Sequence, residues 1–108
     1  MNTRKKGLKA EEVAVDYLKR NNYKIVTTNF YSKFGEIDII AYKNNTFHFI
    51  EVKSGVNFEP IYNITPSKLN KIIKTAKYYI KINKISSPWC IDAIIIKDSI
   101  NHIKNITL

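Results

Sequence analysis

The chain has very little cysteine, glycine or proline, and each scarcity excludes a class of protein. The single cysteine, Cys90, excludes an internal disulfide and leaves no second cysteine for a structural zinc site. Three glycines and three prolines in 108 residues leave no flexible or proline-rich linker. Because this length suffices for one hydrophobic core and not for two, we predict a single domain over residues 1–108.

Long apolar runs are also missing. No stretch approaches the roughly 18 apolar residues that a transmembrane helix needs. The first residues, "MNTRKKGLKAEE", lack the apolar segment of a secretory signal. We therefore expect a cytoplasmic protein that has no membrane partner.

Acidic residues are scarce as well. The chain has 18 basic residues against 9 acidic ones, which gives a net charge of +9, and no acidic residue occurs between Tyr62 and Ile91. Such an excess favours a polyanionic partner such as nucleic acid. Lysine, asparagine and isoleucine are all frequent, however, and an AT-rich coding bias would produce the same excess. Net charge by itself leaves both explanations open.

What is present is an ordered series of helix and strand patterns. Apolar residues at helical spacing predict helices, and short apolar runs rich in isoleucine predict strands. We predict helices at residues 6–21 and 66–81 and strands at residues 23–30, 36–42, 47–53, 89–96 and 100–106. Thr65 and Pro66 are typical of a helix N-cap and first position. The pair Asn44-Asn45 predicts a two-residue turn between the second and third strands.

Carboxylates interrupt both strands of the predicted hairpin. If the asparagines at 44–45 form its turn, Asp38 lies directly opposite Glu51, and Glu36 lies opposite Lys53. Alternation then places Glu36, Asp38 and Ile40 on the face that also carries Glu51 and Lys53. Because like charges directly opposite each other repel, we expect a cation to relieve this pair.

Divalent-metal cleavage of phosphodiesters is the chemistry that needs such a set. Mg²⁺ prefers oxygen ligands and takes one or two carboxylates, and a nearby lysine adds a cation for the phosphate. Asp38, Glu51 and Lys53 supply these groups, and Glu11, which falls within the apolar arc of the first helix, adds a further carboxylate. An aspartate followed by Glu-x-Lys also arises by chance, so a purely structural pair stays open.

The segments "GEIDII" and "FIEVK" resemble the core motif of the PD-(D/E)XK, or restriction-endonuclease-like, superfamily. More narrowly, the chain resembles the YraN-like family of small bacterial proteins along nearly its whole length, in "KGLKAEEVAVDYL", "TTNF", "ITPSK" and "IDAI" as well. That family is similar to Holliday-junction resolvases. The resemblance implies an α/β, restriction-endonuclease-like α-β-β-β-α-β(-β) core in which helices flank a mixed central sheet.

Residue roles follow from the same resemblance. It implies that Glu11, Asp38 and Glu51 bind Mg²⁺ or Mn²⁺, and that Asp38, Glu51 and Lys53 are catalytic. Glu36 matches a family position and supports the site by pairing with Lys53 or orienting a ligand. Lys68 matches the lysine that opens the second helix of the family, and the resemblance implies a contact with phosphate.

Several basic and aromatic residues are candidate nucleic-acid contacts. Tyr31 and Phe34 lie beside Lys33 just before the acidic strand, where they could stack on bases or hold the backbone. The lysine face of the second helix, which includes Lys71, is a solvated surface unless it borders the site, in which case it predicts a phosphate track with salt-dependent affinity.

We predict structural roles for four residues outside the motif. His48 alternates away from the face of Glu51 and is predicted to be a core or edge histidine rather than a ligand. His102, in the short last strand, is predicted at the surface. Cys90 is predicted to be a small buried apolar residue, and Asp92 a hydrogen-bonded acid in an apolar strand.

Three functions are compatible with these features. The first is a metal-dependent endonuclease, or at least a nuclease-fold protein that acts on nucleic acid, for which we expect DNA rather than RNA. Because no base-reading motif is visible, we expect it to recognise backbone or junction shape. The second is a non-catalytic nucleic-acid-binding module that retains the nuclease fold. The third is a small interaction protein whose basic charge reflects coding bias. Resolvase-like cleavage of two strands would call for a homodimer.

Overall fold

The computed structural model describes residues 3–55 and 64–107, with side chains described from Lys9 onward. Seven elements follow the predicted order α-β-β-β-α-β-β. They are α1 (Thr3–Arg20), β1 (Lys24–Ser32), β2 (Gly35–Lys43), β3 (Thr46–Ser54), α2 (Pro66–Ile82), β4 (Trp89–Ile96) and β5 (Ile100–Ile103). The last strand is shorter than predicted and ends before Lys104, whereas β4 has the predicted bounds.

The five strands form one mixed sheet in the order β1-β2-β3-β4-β5. Neighbouring strands are antiparallel except β3 and β4, which are parallel. A parallel pair needs a long crossover, because a tight turn reverses the chain direction, and α2 lies within this one. The structure therefore confirms the predicted α/β fold with a mixed central sheet flanked by helices.

Each helix covers one face of the sheet, which gives three layers and two cores. On one face, residues of α1 pack against residues of the three central strands: Ala14, Leu18, Ile39, Ala41, Ile50 and Ile94. On the other face, residues of α2 pack against the same strands: Ile37, Ile40, Phe49, Ile72, Ala76 and Ile91. The central strands, buried on both faces, explain why their sequences are nearly continuous apolar runs.

Local chemistry explains the ends of these elements. The side chain of Thr65 accepts a hydrogen bond from the backbone N–H of Lys68, and Pro66 opens α2, as predicted. Asn44 and Asn45 both have positive φ, at 51° and 63°, which confirms the two-residue turn. Neither helix in the described part of the chain has the length and apolar character required to cross a membrane.

Candidate functional site

The β2–β3 hairpin has the predicted register, but its ladder ends before the acids. Regular pairing runs from the turn to the pair of Ile39 with Ile50. One position farther on, Oδ2 of Asp38 accepts a hydrogen bond from the backbone N–H of Val52 at 2.8 Å. The prediction that Asp38 and Glu51 form a directly opposed ladder pair is therefore wrong, because a side-chain carboxylate takes a backbone donor of the neighbouring strand.

Side-chain alternation in β2 is interrupted at Asp38. Ile37 packs in the core under α2, whereas Ile39 packs in the core under α1, although residues two apart in a regular strand share a face. The prediction that Glu36, Asp38 and Ile40 share one face is therefore wrong. Ile40 faces α2, and Glu36, next to Ile37, lies on the α1 side.

An asparagine that the sequence analysis missed lies beside this interruption. Asn29 of β1 has φ of 53°, and its chain neighbours pair with the chain neighbours of Asp38, so the two irregular residues face each other. The side chain of Asn29 hydrogen-bonds to Glu11. Asparagine is depleted in strands and tolerates positive φ, which is the signal that could have identified it.

Asp38 and Glu51 are both buried, with 9% and 7% of their surfaces exposed. Burial, followed by the nearby charge of Glu51, raises the pKa of Asp38 to about 8. Asp38 is therefore largely protonated at neutral pH, and a cation placed beside it would favour the ionised form.

Two lysines approach the carboxylate of Glu51 from neighbouring elements. Its Oε1 lies 3.5 Å from Nζ of Lys68 in α2 and 3.8 Å from Nζ of Lys53 in β3. Lys53 thus extends toward Glu51, and its predicted partner Glu36 lies beyond Ile39 and Ile50, the last regular pair of the β2–β3 ladder.

The pKa values of the two lysines are shifted in opposite directions. Burial and the neighbouring Lys68 lower the pKa of Lys53. Burial alone would lower the pKa of Lys68 as well, but its hydrogen bond with Lys53 and the charge of Glu51 raise it. Lys53 therefore gives up a proton more readily than a free lysine, while Lys68 stays a cation.

Glu11 of α1 joins the acids of the sheet. Burial raises the pKa of Glu11, the charges of Glu36 and Glu51 raise it further, and the hydrogen bond from Asn29 acts in the opposite direction. Glu11 also contributes to the field that raises the pKa of Asp38. The fold thus gathers four acids and two lysines: Glu11, Glu36, Asp38, Glu51, Lys53 and Lys68.

Of the predicted nucleic-acid contacts, Lys68 belongs to this group, whereas the other four lie on β1, on the β1–β2 turn or farther along α2. Nζ of Lys33 lies 5.2 Å from the centre of the Phe34 ring, which packs against Tyr78 of α2. Tyr31 is 69% exposed on β1. Lys71, exposed on α2, lies alongside the hairpin that carries Phe34.

A second polar group surrounds Asp92 of β4, which pairs with Ile50 of β3. The fully buried carboxylate of Asp92 accepts hydrogen bonds from Nδ1 of His48 and Nε2 of His102, both at 2.7 Å, and from the backbone N–H of Asn105 at 3.0 Å. The prediction of a core place for His48 is confirmed. The prediction of a surface place for His102 is wrong, because its side chain is 4% exposed.

This group contains metal-ligating atoms, yet it is already satisfied by its own hydrogen bonds. Donor atoms of His48, Cys90 and Asp92 lie within 4.8 Å of one another, and the four acids of the other site form no group as compact among the described side chains. Burial and Asp92 raise the pKa of the Cys90 thiol to about 12, so it stays protonated and donates to Asp92. We assign this group to structure.

Comparison with known proteins identifies the family. Residues 10–96 match the family described as "Uncharacterised protein family UPF0102". A UPF0102 protein of Wolinella succinogenes is 57% identical over 98% of this chain and 99% of its own length. A UPF0102 protein of Helicobacter hepaticus is 51% identical over 100% of this chain and 99% of its own length. A UPF0102 protein of Helicobacter pylori strain HPAG1 is 56% identical over 96% of this chain and 92% of its own length. The agreement spans both helices and all the strands of the central sheet, so this chain belongs to the UPF0102 family.

Proposed function

We propose that this protein is a metal-dependent nuclease that hydrolyses phosphodiester bonds in DNA. The observation that carries the proposal is the buried pair of Asp38 and Glu51 on adjacent strands, with the pKa of Asp38 raised to about 8. A buried pair of like charges destabilises a fold unless a cation compensates it.

The donor set fits Mg²⁺ or Mn²⁺. Carboxylate oxygens are the ligands that Mg²⁺ prefers, and one or two of them suffice. Asp38 and Glu51 would bind the ion directly, and Glu11 would bind it or one of its waters. When bound, such an ion supplies an acidified water and neutralises charge on the phosphate.

Lys53, Lys68 and Glu36 would supply the remaining functions of the site. Lys68 stays charged and would hold a phosphate oxygen. Lys53, whose pKa is lowered, would exchange a proton with the attacking water or the leaving oxygen. Glu36 strengthens the negative field at Glu11 and Asp38, and so favours cation binding. The net charge of +9 suits a nucleic-acid substrate.

The test is cleavage of labelled branched, single-stranded and duplex DNA in Mg²⁺ or Mn²⁺. Asp38→Asn and Glu51→Gln should each reduce the rate by about 100-fold or more, by analogy with the loss of one charge-stabilising group. Glu11→Gln should reduce it less. Glu12→Gln is the matched control, since Glu12 is exposed on the next position of the same helix.

The outcomes separate the competing functions. Cleavage that survives both Asp38→Asn and Glu51→Gln would overturn the site and point to a contaminating nuclease. Salt-sensitive DNA binding without cleavage by the wild type would favour the non-catalytic binding module. Cleavage of both strands of a branched substrate would additionally predict a homodimer, which sedimentation of the active sample would detect.

A further inference from the structure

An open groove lies between the tip of the β1–β2 hairpin and the outer side of α2. Its volume is about 480 Å³. Three apolar side chains and four lysines line it: Phe34, Tyr78, Ile82, Lys33, Lys74, Lys77 and Lys81. None of the described residues that line it is acidic.

The floor of the groove is aromatic and partly open to solvent. The rings of Phe34 and Tyr78 lie 6.2 Å apart at 66° to each other, and Phe30 supports Tyr78 from below at 6.3 Å. Tyr78 is 38% exposed and Ile82 is 51% exposed. Aromatic side chains exposed beside one another are typical of a binding surface.

The residues that line the groove indicate which kind of ligand it would bind. Four lysines around two aromatic rings disfavour a basic or apolar protein partner and favour a flexible polyanion that also carries flat rings. A single-stranded nucleic acid has both properties, because its phosphates are charged and its unpaired bases can stack on aromatic side chains. In a duplex the bases are stacked on one another, so the rings would have nothing to contact.

The groove and the acidic site share the helix α2. Lys68, which contacts Glu51, lies near the start of α2, and Lys71, Lys74 and Tyr78 follow at spacings of three and four residues on one side of that helix. At a rise of about 1.5 Å per residue, Lys68 and Tyr78 are separated by roughly 15 Å along the axis. A chain held in the groove would therefore lead to the acids within a few nucleotides.

We infer that this groove binds a single-stranded segment of nucleic acid, with bases stacked on Phe34 and Tyr78 and phosphates held by the surrounding lysines. The claim that the groove is a substrate site rests on the proposed nuclease function. It then assigns the substrate class as nucleic acid with a single-stranded arm beside the cleaved bond. Binding itself can be measured without cleavage.

The test is fluorescence polarisation with a labelled 20-nucleotide single strand and the blunt duplex of the same sequence, in EDTA and on an Asp38→Asn background. The parent should bind the single strand more tightly. Tyr78→Ala should weaken single-strand binding by about ten-fold, the effect of losing one stacked base, and leave duplex binding nearly unchanged. Tyr78→Phe should retain binding, because it keeps the ring.

A control variant shows whether the loss of binding is specific to the groove. Tyr42→Ala, at the opposite end of the hairpin, should leave both affinities unchanged, and circular dichroism would confirm that each variant is folded. Unchanged single-strand binding by Tyr78→Ala would overturn the inference, and so would an equal loss of duplex binding. Since metal is absent, a protein that never cleaves DNA could still pass this test. Failure of the groove and failure of the nuclease proposal are thus distinguishable.

Discussion

A single buried carboxylate, Asp38, should make the stability of this protein depend on pH. Its pKa is raised to about 8 in the folded chain from 3.8, so between about pH 4 and pH 8 the folded state holds a proton that the unfolded state has released. The free energy of unfolding therefore falls as pH rises through this window. Asp38→Asn, which removes the ionisation, should stabilise the protein by on the order of 1–2 kcal/mol at pH 8.5 and little at pH 4.

Thermal unfolding at both pH values measures this effect. The expected gain at pH 8.5 corresponds to about 5–10 °C in Tm for a domain of this size. The exposed Glu12→Gln serves as control and should change Tm by the same small amount at each pH. An Asp38→Asn variant that is less stable than wild type at pH 8.5 would contradict the expected cost of ionising Asp38.

At the scale of residues, the sequence predicted the acids because each stands out in an apolar context. Glu11 interrupts an apolar helix arc, and Asp38 and Glu51 interrupt apolar strands. Asn29 could not be found in this way, because its positive φ depends on the irregularity of the facing strand. His102 was misplaced because its burial comes from Asp92, a partner on another strand that local sequence does not reveal.

At the scale of elements, the two-residue turn determined how much of the hairpin could be predicted. Asn44 and Asn45 favour positive φ, and a two-residue loop allows one register, so the pairing up to Ile39 and Ile50 followed from the sequence. The predicted alternation of side chains then failed at Asp38, where the irregularity involves three strands. The carboxylate of Asp38 takes the place of a backbone acceptor for the N–H of Val52. Local pattern carries no information about such a contact.

The last strand, β5, depends on an anchor in β4. His102 of β5 and the backbone of Asn105 both donate to the buried carboxylate of Asp92, as does His48 of β3. Asp92→Ala would leave these donors without their acceptor. We expect it to reduce the free energy of unfolding by about 3–5 kcal/mol, the loss seen when one partner of a buried ionic group is removed.

Urea unfolding and amide hydrogen exchange would measure this anchor. Exchange should accelerate in β5 and at Asn105 before it accelerates in β2. Asp98→Ala, an exposed acid in the adjoining turn, is the matched control. If Asp92→Ala fails to fold, His102→Ala removes one donor and should give a smaller loss with the same local pattern. A loss below about 1 kcal/mol for Asp92→Ala would mean that Asp92 is not the anchor.

At the scale of the whole molecule, the charges are segregated. Four of the nine acids lie at the candidate site, while the outer side of α2 carries lysines at regular spacing. Coding bias alone would scatter lysines without regard to the site. The lysines around the groove should therefore contribute to nucleic-acid binding more than lysines elsewhere.

Salt titration of single-strand binding separates these explanations. Each lysine that neutralises a phosphate contributes about 0.7 to the slope of log affinity against log salt. Lys77→Gln, in the groove, should reduce the slope by about that amount. Lys104→Gln makes the same change in net charge at an exposed position just after β5, at the edge of the sheet opposite β1, and should not. Equal reductions from both variants would mean that binding follows overall charge, and the lysine excess would then reflect composition rather than a nucleic-acid site.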